Sequence, residues 1–179
     1  GRANDLLGEP WQLATQVEYR NELLTPSLVD CHTHLVFGGD RSDEFAERQA
    51  GASYAEIAAR GGGILATVRA TRASSVEQLV EQAAPRMRQL IADGVAAFDI
   101  KSGYGLDFDS ERRMLQAARA LGERLGATVR TSYLALHAVP KDVDRKGYLD
   151  SAIDAWLPQL HTEGLIDAVD AYHEHLAFD

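Results

Sequence analysis

Four short apolar segments recur along the chain with longer amphipathic segments between them, and this alternation constrains the fold more than any other feature. Residues 28–34, 95–100, 128–136 and 167–175 read as strands, each an apolar run bounded by glycine, proline or polar residues. Between the first two, Leu79, Val80, Ala83, Met87, Leu90 and Ile91 fall at helical spacing, and Gly94 supplies the stop. Pro85 inside this helix costs a hydrogen bond and is expected to bend it. Met114, Leu115, Ala118, Leu121 and Leu125 form a second stripe. Leu149, Ile153, Trp156, Leu157 and Leu160 form a third, within a helix over 144–163. Strand and helix in strict alternation predict an α/β fold with parallel strands and right-handed crossovers.

Local signals mark the ends of these elements. Ser53 with Glu56 has the form of a capping box opening a short helix to Arg60, and Ser74 with Glu77 forms another. Asp107 or Asp109 caps the helix that follows the second strand. The polar stretch 40–49 reads as a short helix or an ordered loop. Gly61-Gly62-Gly63 lacks the Gly-Lys-Ser/Thr of a nucleotide P-loop, so a flexible connection or a close backbone approach is the better reading. Residues 1–27 keep no sustained period and are read as a lead-in closed by Pro26.

Charge and cysteine content narrow the function classes. A formal net charge of -9 argues against nucleic acid, whose phosphates need clustered Lys and Arg, and against an anionic membrane surface. The single cysteine, Cys31, rules out an internal disulfide and fits a reducing compartment. No run of about 18 apolar residues is present, and Gly1-Arg2-Ala3-Asn4-Asp5 lacks the apolar core of a signal peptide. A soluble cytoplasmic protein with no nucleic-acid or membrane partner is the expectation.

Parallel β/α folds collect their chemistry where the strands end. Those ends carry His32 and His34, then Lys101 with Tyr104, then His137, then His173, Glu174 and His175, and of the histidines only His161 falls elsewhere. Residues two apart on a strand share a face, so the imidazoles of His32 and His34 could meet at one metal ion. Each residue also has an ordinary reading. His137 could be a core histidine bonded to a carbonyl, Lys101 an ion-pair partner of Asp99 or Asp107, and Tyr104 plain turn chemistry. His173 and His175 share one strand face and Glu174 takes the other. Arg41, just beyond the Gly38-Gly39 loop, could hold a substrate carboxylate in two parallel hydrogen bonds, or pair with Asp43 or Glu44.

As a group, these residues resemble a known family. Residues 28–39, Leu-Val-Asp-Cys-His-Thr-His-Leu-Val-Phe-Gly-Gly, resemble the first-strand motif of the amidohydrolase superfamily, and more narrowly that of imidazolonepropionases. The resemblance continues through Asp43-Glu44-Phe45, Tyr54-Ala55-Glu56-Ile57-Ala58, Gly61-Gly62-Gly63-Ile64 and Ala70-Thr71-Arg72-Ala73. It extends to Ile100-Lys101-Ser102-Gly103-Tyr104-Gly105-Leu106 and His137-Ala138-Val139-Pro140.

This resemblance implies a partial (β/α)8 TIM barrel of four parallel strands over 28–179, the N-terminal half of an amidohydrolase-like barrel. Residues 1–27 would be a lead-in or a remnant of the family's β-sandwich. The implied reaction is hydrolytic ring opening of 4-imidazolone-5-propanoate to N-formimidoyl-L-glutamate, in histidine degradation. His32 and His34 would ligate one zinc or iron ion (Zn2+, Fe2+ or Fe3+) whose role is to acidify water. Arg41 would bind the propanoate carboxylate, while Tyr54, Tyr104 and His137 would line the pocket.

The departures are as informative. The family's chain is considerably longer, so the remaining metal ligands and the glutamate and histidine that move protons are expected beyond residue 179. Ser27 and His173 stand where the family commonly has Gly and Cys, and residues 1–24 do not match its sandwich. The chain by itself is therefore expected to be metal-poor and inactive, with no acid or base assigned in it. Two alternatives stand beside this reading. One is another amidohydrolase, such as a cyclic amidine deaminase or a cyclic amidohydrolase. The other is a non-catalytic half-barrel assembly module, whose open strand edges need a cover such as a second copy in a homodimer.

Overall fold

β1 (Leu28–Thr33), β2 (Val95–Lys101), β3 (Thr128–Tyr133) and β4 (Ala168–Val169) lie side by side in sequence order, every neighbouring pair parallel. This computed structural model of the chain describes residues 15, 17, 19–20, 23–140, 143–173 and 178, and all of their side chains except those of Tyr54 and Ala58. The sheet curls into a half-barrel with the crossover helices on its outer side. This is the parallel α/β arrangement that the strand–helix alternation predicts, and the partial TIM barrel that the family resemblance implies.

Alternation within each strand sorts side chains between two faces. On β2, Phe98 and Ile100 are 2% and 1% exposed and face the helices. There they join Leu79, Val80 and Met87 from α4 (Val76–Ala92) and Met114 and Leu121 from α5 (Phe108–Leu125) in the main core. A second cluster packs β3 through Tyr133 against Leu115, Ala152, Leu160 and Ile166. The other strand face lines an open trough of about 290 Å³ with Val29, Cys31, Ala97, Asp99, Arg130 and Ser132.

β1 departs from the buried strand expected of Leu28-Val29. These residues are 57% and 64% exposed: β1 is an edge strand with β2 on one side only, and Val29 also faces the open trough. β4 is also shorter than the expected strand over 167–175 and pairs with β3 at two positions. His173 forms only an isolated bridge with Phe178, and Glu174 and His175 lie outside the described residues, as does the lead-in before residue 15. The third strand ends at Tyr133, where the chain turns through a 3-10 segment, Ala135–His137.

The polar stretch after Gly39 is helical, α1 (Ser42–Gln49), and Ser53 and Glu56 form the expected capping box on α2 (Tyr54–Ala59). α3 (Ile64–Ala73) was not anticipated. It begins with Gly63 as its N-cap and contains Thr67, Val68 and Thr71, β-branched residues whose weak helix propensity masks the buried face they form. α4 starts one residue later than Ser74 suggests: Ser75 accepts from Gln78 N–H at 3.2 Å, and the Gln78 carboxamide oxygen accepts from Ser75 N–H at 2.9 Å. Asp107, not Asp109, caps α5 by accepting from Ser110 N–H at 2.8 Å. The single helix expected over 144–163 is built of α6 (Arg145–Asp150), a π-helical stretch Ser151–Trp156 and α7 (Leu157–Thr162). The change of winding precedes Pro158, which has no N–H for the α-helical ladder.

Candidate active site

The C-terminal ends of β1, β2 and β3 bring four predicted residues into one ring cluster. His34 stacks on His137 with ring centroids 4.7 Å apart and planes 10° from parallel. Tyr104 lies 5.2 Å from each of them, and His32 meets His34 edge-on at 5.4 Å. β1 ends at Thr33, whose hydroxyl donates to the Asp99 carbonyl at 2.9 Å, so His34 follows a strand end anchored to β2.

Burial, reinforced by the nearby His137, His32 and Lys101, pushes the His34 imidazole down to about 4. His34 is therefore neutral near pH 7, the form that binds metals. Its Nδ1 is buried without a hydrogen-bond partner. His137 Nδ1 lies 3.0 Å from the Gly103 carbonyl, which can only accept, so this nitrogen carries the proton and Nε2 is left as an acceptor. Burial, together with His32, also lowers the His137 imidazole against the opposing pull of the Gly103 bond. Burial raises the Tyr104 phenol despite the Arg41 charge and keeps its hydroxyl protonated.

The structure resolves the two readings of Lys101 and of Arg41. The Lys101 ammonium pairs with Asp99 at 2.9 Å, as its ordinary reading expected, and also with Asp170 just beyond β4 at 3.1 Å. Burial works against this ammonium, but the two carboxylates outweigh it and raise its pKa. Asp107 is engaged elsewhere, with Arg72 at 2.9 Å. Arg41 Nε donates to Glu44 at 2.8 Å, and the other Glu44 oxygen accepts from Gly63 N–H at 2.9 Å. The ion-pair reading of Arg41 is thus realised, yet Arg41 still lines a cavity of about 220 Å³ with Phe37, Asp40, Thr67, Arg86 and Tyr104. Tyr104 belongs to both this cavity and the ring cluster. Tyr54 opens α2, but its side chain lies outside the described ones, and His173 is exposed at its bridge to Phe178.

Sequence reasoning missed Arg86. From α4 its guanidinium donates to the carbonyls of Leu35 at 2.8 Å and Phe37 at 3.3 Å, and it rests 3.6 Å from the Phe37 ring centre. Nothing in its helical position distinguishes it from a solvated arginine. Glu111 was also missed, although a charged residue beside Met114 and Leu115 on an apolar helix stripe is a signal.

Among the described residues, no group of three or more His, Cys, Asp or Glu side chains could hold a metal ion. The His32–His34 pair fits part of such a site: two adjacent imidazoles, one with an orphaned buried nitrogen.

Comparison with known proteins gives a matching result. The chain is 55% identical over 171 residues to the imidazolonepropionase of Yersinia pseudotuberculosis (serotype O:1b), a match covering 94% of this chain and 42% of that protein. The Yersinia enterocolitica imidazolonepropionase is 56% identical over 165 residues, covering 91% and 41% respectively. The chain matches the N-terminal part of imidazolonepropionases. It spans about two fifths of the length of the curated relatives it matches. No family model matches it. The similarity to imidazolonepropionases covers β1, β2 and β3 and the residues placed at their ends, since so little of the chain is left unmatched.

Proposed function

We propose that this chain supplies the substrate pocket and two metal ligands of a hydrolase that opens the ring of 4-imidazolone-5-propanoate with water, giving N-formimidoyl-L-glutamate. The observation that carries this reading is the double membership of Tyr104. Its ring touches His34 and His137 on one side and shares a cavity with Arg41 on the other. A molecule with a carboxylate at one end and a small polar ring at the other suits that pair of neighbouring environments, and the similarity to imidazolonepropionases supports the choice.

The carboxylate would sit against Arg41, whose Nε is already fixed by Glu44, leaving the terminal guanidinium nitrogens to bind it. Arg86 brings a second positive charge to the same cavity, partly offset by Asp40. The protonated Tyr104 hydroxyl can donate to a ring carbonyl. With Nδ1 committed to Gly103, His137 presents Nε2 to a ring N–H. His32 and His34 would hold zinc or iron, which the neutral state of His34 and its unpartnered Nδ1 fit. When bound, such an ion acts as a Lewis acid that makes water nucleophilic near neutral pH.

The test is loss of imidazolone absorbance on incubation with the whole protein supplied with zinc or iron. Arg41→Ala is expected to lower kcat/KM about 30-fold, equivalent to about 2 kcal/mol for a lost charged hydrogen-bond partner. No turnover by the unmutated, metal-supplied protein would sink the reading. Full activity of Arg41→Ala would remove the carboxylate anchor and favour a neutral substrate, such as that of a cyclic amidine deaminase, which ammonia release would report.

A further inference from the structure

The loop after β2, residues 102–106, carries Tyr104 and has no strand or helix ladder, yet its backbone polar groups are gripped from both sides. Glu111, from the first turn of α5, is fully buried and accepts hydrogen bonds from three of the loop's N–H groups. One carboxylate oxygen takes Gly103 N–H at 3.0 Å, and the other takes Gly105 and Leu106 N–H at 2.8 Å each. The Ser102 hydroxyl bonds the same carboxylate and accepts from Leu134 N–H at 3.0 Å, which ties in the segment leading from β3 to His137.

The carbonyls turn the other way. Arg72 of α3 donates Nε to Gly105 O at 2.7 Å and Nη2 to Leu106 O at 3.0 Å. His137 Nδ1–H donates to the Gly103 carbonyl.

Consecutive N–H groups converging on a concave loop ordinarily make an anion site. Here the protein's own Glu111 carboxyl fills that place; burial pushes its pKa up, and the hydrogen bonds from Ser102 and the loop N–H groups pull the other way. The loop adopts conformations that need such support. Leu106 has φ +54°, unusual for a residue with a side chain, and Gly103 has φ +108°. A Cβ on Gly105 would fall 2.5 Å from Glu111 N, so loop and helix are in close contact there.

We propose that Glu111 and Arg72 are positioning residues of the substrate site: gripping one loop by its N–H and its carbonyl groups, they set the Tyr104 ring and the carbonyl that orients His137. This rests on the reading that Tyr104 and His137 line the pocket. Neither Glu111 nor Arg72 touches substrate; each acts through the loop.

The experiment uses the whole chain labelled with 15N-histidine, with the His137 signals assigned by their loss in His137→Gln. The unmutated chain should show His137 protonated at Nδ1 and bare at Nε2. Glu111→Gln turns an amide N–H2 toward donors that need acceptors. It should move the His137 signals toward mixed tautomers while those of His161, on the outer helix α7, stay fixed and the melt stays cooperative. Arg72→Lys keeps the charge but loses the two-carbonyl fork, and should shift His137 in the same sense by less. It carries the test if Glu111→Gln does not fold. In turnover of imidazolone, read in a protein of its relatives' full length because this chain by itself is expected to be inactive, Glu111→Gln should lower kcat/KM by up to about 10²-fold, the scale of a 1 Å misplacement. Folded variants with unchanged His137 signals overturn the proposal. If those signals shift while the unmutated full-length protein turns over no imidazolone, the positioning stands and the substrate reading fails.

Discussion

His34 shows how a single residue can bind stability and site chemistry together. Its imidazole is held neutral because a charge there would be desolvated and would face His137, His32 and Lys101. Unfolded, the same ring titrates near 6.5; folded, it titrates at about 4. Between these values the unfolded chain binds the extra proton, so stability must rise with pH across that window. The contribution is complete above about pH 6.5 and is lost as pH falls toward about 4. Urea melts at pH 7.5 and pH 5 should therefore differ by more in the unmutated chain than in His34→Gln. Equal pH sensitivity in the two would show that His34 is not the group responsible. The same residue scale explains why Arg86 escaped sequence reading. Its partners are the carbonyls of Leu35 and Phe37, some fifty positions away, and every residue type has a carbonyl.

At the scale of elements, the start of α4 was legible to within one residue, and that last residue depended on geometry. Ser74 and Ser75 are adjacent, and both Glu77 and Gln78 can close a capping box. In the structure Ser74 instead bonds back to the Ala70 carbonyl at 2.9 Å, ending α3, which leaves Ser75 to open α4. Ser75→Ala should cost about 1 kcal/mol. Combined with Gln78→Ala it should cost less than the sum, whereas Ser74→Ala and Glu77→Ala should simply add. Chemical denaturation of the four variants and two pairs checks this, and coupling at Ser74–Glu77 instead would return the cap to Ser74. α3 itself was hidden because its inward face is built from Thr67, Val68 and Thr71, residues that favour strands when read locally.

For the whole molecule, the half-barrel gathers its histidine and tyrosine rings where the strands end and leaves its inner trough open. Catalytic zinc sites use three protein ligands, and the described residues offer the His32–His34 pair alone. The chain is therefore expected to hold less than one equivalent of zinc or iron after desalting, and His34→Ala should abolish what remains. Elemental analysis reads this directly. A tightly retained equimolar ion that survives desalting would mean that a third ligand completes the site.

By itself the sequence determined the alternation of strands and helices, hence the parallel sheet, because apolar periodicity is local and survives without knowledge of the fold. It also determined which residues stand at the first three strand ends, since His32, His34, Tyr104 and His137 follow from where the apolar runs stop. At the fourth, the strand ends at Val169, and Asp170, not His173, follows it. Only the tertiary structure decided what those residues touch. The stacking of His34 on His137, the pairing of Lys101 with both Asp99 and Asp170, and the grip of Glu111 on the Tyr104 loop join segments that sequence keeps apart. The exposure of Leu28 and Val29 is the converse case. An apolar pair states a preference for burial, and whether a neighbour exists to bury it is a property of the assembled sheet.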